Sequence, residues 1–373
     1  MLTLLALLAP AAAALTTIAA GDPRYVTALG RTSLSPSTGA LSLSWLGGGL
    51  SVSHTGSVLR LTAQARTSRS FKLSFYQSTQ DNLPYEGTAW VPASGANETI
   101  VIASGAGGVQ VLLNDPPDYW AGAGDAAVLL SLTTDGAFLP LPPPPQRRRT
   151  LHVLGDSITA ATNIRGGFRS CADGGLYADY SSSWGGILCS FFGASCTTVA
   201  VGGKGLVRNC CDSGTTIPQY YTQDRKGDAD GSFAFADQAP DAMAVYLGTN
   251  DYSGKPPPGL DALFTAALLG LMRNVTQRYY GTPASPANVT FLAILGPMSP
   301  TLPSAALAAA VAQGTAQGFR VLLVNASTAC GSNLTGCTDG CASHPGVASH
   351  RNIARMVAPA VEAALGWPSN GVI

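Results

Sequence analysis

Four short stretches of this sequence carry residues able to do chemistry together. In LHVLGDSITA (151–160), a mostly apolar run leads into Gly155, Asp156 and Ser157, and then into residues that can open a helix. A serine on such a strand-to-helix turn stands at the edge of a sheet, where a helix N-terminus favours developing negative charge. Ser157 is therefore the candidate nucleophile, the plainer alternative being a helix cap. VAVGGKGLVRN supplies glycines whose backbone can approach a ligand closely and aim an amide N–H at an oxyanion, from Gly203 or Gly205. Lys204 between them would suit a phosphate, but the Gly-x4-Gly-Lys-Ser/Thr spacing of a phosphate-binding loop is absent. YLGTNDY places the side-chain amide of Asn250 as a further oxyanion donor, or as one half of an Asn-Asp turn. In DGCASHPGVASH, His344 precedes Pro345, which holds it extended before a helix-like tail, and it is the candidate general base for Ser157. His350 lies on that tail as a packing or surface residue, and His54 and His152 have no catalytic company.

These stretches need elements to position them. From about residue 22 to 138, short alternating runs such as LSLSWL, SVLRLTAQA, FKLSFYQS and ETIVIAS are separated by Gly, Ser, Asn and Pro, the pattern of a β-sandwich. LPLPPPPQRRR (139–149) reads as an extended connector. From residue 150 to about 368, apolar runs (LHVLG, TTVAVGG, AMAVYLGT, VTFLAILG, RVLLVNAS) alternate with segments such as LDALFTAALLGLMRNVTQRYY. That alternation predicts an α/β domain, a doubly wound parallel sheet covered by helices on both faces, with its ligands at the carboxyl ends of the strands.

Composition narrows the setting. With 373 residues and 46% hydrophobic content the chain can bury a substantial core, and two domains is the natural expectation. Charged residues are only 11% and balance to zero, so nothing attracts nucleic acid by charge. Residues 1–20 read as a secretory signal peptide without a basic start, with cleavage near Ala13 or Ala20, or alternatively as an uncleaved membrane anchor, and no later segment looks transmembrane. Eight cysteines, all after residue 170, together with Asn-x-Ser/Thr sequons at Asn97, Asn274, Asn288, Asn325 and Asn333, point to an oxidising secretory route. Cys-x2-Cys spacing is absent and the four histidines are not grouped with the cysteines, so no metal or other cofactor is expected. Trp90, Tyr119, Trp120, Tyr180, Trp184 and Tyr252 are aromatic enough to stack on sugars, although core or ordinary surface is the plainer place for each.

The blocks GDS, a glycine in the second stretch, GTND and a near-terminal HP, in this order, resemble the SGNH, or GDSL, hydrolase superfamily. GRTSLSP opening a β-rich region, a Pro-rich link into LHVLGDSITA, GGKGLVRN and LGTNDY resemble carbohydrate esterase family 2 more narrowly. That resemblance implies a jelly-roll domain joined to a flavodoxin-like, three-layer SGNH domain. It also implies removal of O-acetyl groups from a polysaccharide such as xylan or glucomannan. On this chain it makes Ser157 the nucleophile and first oxyanion donor, Gly203 (or Gly205) the second, Asn250 the third and His344 the base. The superfamily commonly has an aspartate three residues before the histidine, where this chain has Cys341. A Ser157–His344 dyad, as family 2 members use, is the first expectation, with Asp339 as the candidate third member and Asp156 structural. Rival functions are a general GDSL esterase for longer acyl chains, an acetyl transferase, and a non-catalytic carbohydrate-binding wall protein.

Overall fold

The computed structural model describes residues 14–66, 70–78, 84–114, 126–142, 148–167, 177–235, 238–281, 285–298, 303–331, 337, 339–371 and 373. Its first part is built of β1 (Thr16–Ala19), β2 (Val26–Leu29), β3 (Thr32–Leu34), β4 (Leu41–Leu43), β5 (Gly49–His54), β6 (Val58–Arg66), β7 (Phe71–Ser78), β8 (Pro84–Val91), β9 (Glu98–Ser104), β10 (Gly107–Leu113) and β11 (Ala126–Thr134). One sheet runs β3-β4-β11-β6-β9, with β1 also on β11, and the other runs β2-β5-β10-β7-β8. All of their pairings are antiparallel. Period-two patterning explains why they pack face to face. Along β6, Leu59, Leu61, Ala63 and Ala65 are buried and meet Leu50, Val52, Leu73, Val109 and Val111 of the other sheet in one apolar core.

The second part contains β12 (Thr150–Gly155), α1 (Trp184–Phe192), β13 (Ser195–Ala200), α2 (Ile217–Tyr220), β14 (Ala242–Tyr246), α3 (Leu260–Tyr280), β15 (Thr290–Leu295), α4 (Ser304–Ala316), β16 (Arg320–Asn325) and α5 (Val347–Leu365). Its five strands form a parallel sheet in the order β13-β12-β14-β15-β16. The strands are apolar on both faces because both are covered. Met243 and Val245 pack with α3 and α4 on one side, while Ala242, Ala244 and Tyr246 pack with α1 and α5 on the other. Among the described residues, no helix is long and apolar enough to cross a membrane.

Two boundaries differ from the expectation. The sandwich begins at Thr16 rather than residue 22, because Thr16–Ala19 pairs with Thr134–Ser131 of β11. Cleavage near Ala20 would remove that strand, whereas cleavage near Ala13 leaves it whole; residues 1–13 lie outside the described residues. The connector also belongs partly to its neighbours. Leu139 and Leu141 donate backbone hydrogen bonds to Ser53 and Arg24 of the sandwich, and Arg149 reaches the carbonyls of Phe192 and Pro368.

The two parts are bolted together by Arg31 of the GRTSLSP stretch. Only 1% exposed, it donates through Nη1 to the carbonyls of Tyr221 and Gln223 at 2.8 and 2.9 Å, and its guanidinium lies 3.7 Å from the Phe233 ring centroid. Among the described residues its Nε and Nη2 make no hydrogen bond, so carbonyls and aromatic faces hold the charge. Nearby, Asn114 at the end of β10 donates to Asp179 at 2.9 Å and accepts from the Ser181 N–H at 3.0 Å. Removing a charged donor from two buried carbonyls costs about 1.5–3 kcal/mol per bond. Arg31→Ala is therefore expected to lower stability by about 3 kcal/mol and Tm by several degrees. Calorimetry showing an unchanged Tm would contradict this role.

Candidate active site

The carboxyl edge of the parallel sheet collects the four stretches. β12 ends at Gly155, and the chain turns through Asp156 and Ser157, the latter 6% exposed. The Asp156 carboxylate accepts from the Ile158 N–H at 3.0 Å and the Thr162 N–H donates to the Ser157 carbonyl at 3.0 Å, so the turn carrying Ser157 is closed from both sides. From the segment just before α5, His344 brings Nε2 to 2.9 Å from Ser157 Oγ, across 187 positions of sequence. Its Nδ1 is 3.1 Å from the Ala342 carbonyl. A carbonyl can only accept, so Nδ1 carries the hydrogen and Nε2 offers its lone pair to the hydroxyl. Burial pushes the imidazole below its ordinary value, against the carbonyls of Ala342 and Cys341, which favour the charged ring.

Asp339, the candidate third member, is engaged elsewhere. Its carboxylate accepts from the N–H groups of Gly346 and Ser349 at 2.8 and 2.9 Å and from Ser349 Oγ at 2.8 Å. It thus ties down the N-terminal turn of α5, where negative charge is favoured. Burial works to raise this carboxyl, yet these donors together hold it below the usual carboxylate range. The Ala342 carbonyl stands at the imidazole where a triad would place its acid.

At the same sheet edge, the loop after β13 supplies Gly203 with φ +71°, a left-handed turn suited to glycine. The Gly203 carbonyl accepts from the Cys210 N–H at 2.9 Å, and Cys210 is itself cross-linked to its neighbour Cys211. Gly205 donates its N–H to Asn209 Oδ1 at 3.2 Å, while among the described residues no hydrogen bond uses the Gly203 or Ser157 N–H. Of the two glycines, Gly203 is thus the one free to donate. Asn250, 7% exposed, donates through Nδ2 to the Lys204 carbonyl at 2.8 Å and to Asp156 at 3.3 Å. The second bond is long, and it is the one an oxyanion could displace. Lys204 is paired with Asp212 at 2.6 Å, which fits the absence of a phosphate loop.

Sequence reading missed Asp251. Fully buried, its carboxylate accepts from the N–H groups of Leu206, Val207 and Arg208 at 3.0, 2.7 and 3.0 Å, and it folds the glycine loop around itself. A side chain on Gly205 would collide with that carboxylate and with the Arg208 carbonyl. The signal was present in GTND, where the aspartate adjoins Asn250. Burial pushes Asp156 up to about 7 and Asp251 upward. The other expected histidines are structural: His350 accepts from the Trp184 N–H at 3.1 Å, and His152 lies 2.7 Å from Tyr221 Oη. Of the aromatic residues, Tyr180, Trp184 and Tyr252 are core, Trp90 on β8 is 42% exposed, and Tyr119 and Trp120 lie outside the described residues. Among the described residues no cluster of three or more His, Cys, Asp or Glu could hold a metal.

No family model matches the sequence, and no curated protein matches it. Solved structures do. A family 2 carbohydrate esterase with a carbohydrate-binding domain from Corynascus thermopiles (Myceliophthora fergusii) is 28% identical over 92% of this chain and 100% of its own, with a TM-score of 0.71. A family two carbohydrate esterase from Clostridium thermocellum in complex with cellohexaose is 19% identical over 92% and 99%, with a TM-score of 0.73. An acetyl xylan esterase from Butyrivibrio proteoclasticus is 17% identical over 95% and 99%, with a TM-score of 0.75.

Two outcomes test the site. Reaction of Ser157 with a fluorophosphonate needs the neutral imidazole, so its rate should drop as the pH is lowered through a midpoint below 6.5, the ordinary histidine value, and be lost in His344→Ala. A rate independent of pH would contradict the geometry. Asp339→Asn should cost about 1 kcal/mol of stability, as loss of a helix cap does. Its kcat should stay within about tenfold, far from the roughly 10⁴-fold loss that follows altering a triad aspartate. The chain thus resembles the SGNH, or GDSL, hydrolases, and among them carbohydrate esterase family 2.

Proposed function

We propose that this chain is a secreted serine esterase that removes O-acetyl groups from a polysaccharide of the xylan or glucomannan type. The observation that carries the chemistry is the 2.9 Å contact between His344 Nε2 and Ser157 Oγ, together with the Ser157 and Gly203 N–H groups, which no hydrogen bond among the described residues uses. In the first step Nε2 takes the Ser157 proton as Oγ attacks the ester carbonyl. The negative charge moves to the carbonyl oxygen, where the Ser157 and Gly203 N–H groups and the Asn250 amide donate to it. The imidazolium then gives that proton to the sugar oxygen as its bond to the carbonyl carbon breaks, freeing the sugar hydroxyl and leaving an acetyl-serine. Water, deprotonated by the same nitrogen, releases acetate and restores the hydroxyl.

The fold reading goes with it: the paired antiparallel sheets form the jelly roll, and the parallel sheet is a doubly wound, flavodoxin-like SGNH domain. The carbohydrate substrate rests on the esterase relatives, one an acetyl xylan esterase and one bound to cellohexaose. Secretion is supported by the cystines Cys189–Cys196, Cys210–Cys211 and Cys330–Cys337 and by the exposure of Asn97, Asn274, Asn288 and Asn325. The sequon at Asn333 lies outside the described residues.

The test is acetate release from acetylated xylan and glucomannan by the purified protein and its variants. Ser157→Ala should abolish release. Asn250→Ala should lower kcat about 10²–10³-fold, as loss of one oxyanion donor does. Equal activity in the parent and Ser157→Ala would contradict the acyl-serine. Faster hydrolysis of long-chain aryl esters than of acetates would favour a general GDSL esterase, and a parent that neither hydrolyses nor reacts with a fluorophosphonate would favour a binding protein.

A further inference from the structure

The base is oriented by a backbone carbonyl two residues away, so its aim depends on the shape of the turn from Cys341 to His344. That turn is closed by the His344 N–H donating to the Cys341 carbonyl at 2.9 Å. It requires Ala342 and Ser343 to take φ of +48° and +63°, a left-handed conformation that residues with a Cβ adopt reluctantly. Both residues are exposed, so core packing does not hold them there. Asp339, five residues before the histidine, is committed to α5 and leaves the turn to other restraints.

Those restraints are two cystines, one bonded through its backbone to the turn and one at the turn's first residue. Cys337, 1% exposed, is cross-linked to Cys330 and donates its N–H to the Ser343 carbonyl at 3.2 Å. Cys341, fully buried, is also disulfide-bonded, and its N–H donates to the Asn163 carbonyl at 3.2 Å. Asn163, with φ +62°, lies in the nucleophile's own turn, directly after Thr162, which bonds the Ser157 carbonyl. The two half-cystines therefore grip the strained turn, one at the Ser343 carbonyl and one at the Asn163 carbonyl of the nucleophile's turn.

We propose that Cys337 and Cys341, through their disulfides, are positioning residues that hold His344 on Ser157 in place of an acidic triad member. This rests on the reading of Ser157 and His344 as the catalytic dyad. A carbonyl exerts no long-range pull on an imidazolium, so a turn that drifts by about 1 Å loses the dyad, where a carboxylate could recapture the ring.

The test compares the intact protein with Cys330→Ala/Cys337→Ala, both assayed for acetate release and for cooperative thermal unfolding. The folded variant should lose at least about tenfold in kcat with KM within about twofold, since substrate contacts are untouched. Adding Ser343→Gly should recover part of the lost kcat, because glycine takes the left-handed conformation without a cross-link, a rescue that mere loss of stability would not show. A folded variant with kcat within about twofold of the parent, or with KM alone changed, overturns the proposal. Should the variant not fold, the intact protein is reduced stepwise, with each opened pair assigned by alkylation and mass spectrometry. Loss of activity must then follow opening at Cys337 or Cys341, and loss that follows Cys189–Cys196 instead overturns it. A parent that releases no acetate would sink the dyad reading itself, separately from this inference.

Discussion

The hydrogen bond from Ser157 Oγ to His344 Nε2 governs what the rest of the molecule must achieve. A serine hydroxyl is a weak nucleophile unless a base is already in place, and an imidazole is a base only when its other nitrogen holds the proton. Here that second requirement is met by the carbonyl of Ala342 at 3.1 Å rather than by a carboxylate. A neutral acceptor fixes the tautomer and the ring plane, but it adds little to the stability of the imidazolium. The precision has to come from the backbone that carries the carbonyl.

The parallel sheet delivers most of that precision. β12 and β14 are hydrogen-bonded neighbours, so the turns that follow them bring Ser157 and Asn250 to one edge, and β13 on the other side of β12 brings Gly203. Two buried carboxylates finish the arrangement: Asp156 joins the Ser157 turn to Asn250, and Asp251 gathers three backbone N–H groups of the glycine loop. Taking carboxylates out of water is costly, which is why burial pushes both upward, and each is sustained by several donors. The sandwich contributes from behind, through Arg31 and Asn114, by holding segments that lead into this edge.

Much of this was legible in the chain because it follows from local rules. The segment LDALFTAALLGLMRNVTQRYY coincides with α3, and FKLSFYQS and ETIVIAS coincide with β7 and β9, since hydrophobic period and turn residues mark their limits. Ser157, Gly203, Asn250 and His344 stood out because each follows an apolar run or precedes the last helix. What could not be read depends on contacts between distant residues. Gly203 is separated from Gly205 only by the Asn209 side chain occupying the latter's N–H, and Asp339 faces α5 because the chain folds back on Ser349. The strand at Thr16–Ala19 hid behind a leader-like composition, and cystine pairing has no local signature at all.

A direct measure of the central claim is the ¹⁵N NMR signature of the His344 ring in the folded protein near neutral pH. A carbonyl-oriented dyad predicts a protonated, pyrrole-type Nδ1 and an unprotonated, pyridine-type Nε2, with the Nδ1 signal shifted by hydrogen bonding and unchanged in Asp339→Asn. A ring protonated on Nε2, or one whose Nδ1 signal moves when Asp339 is altered, would contradict it.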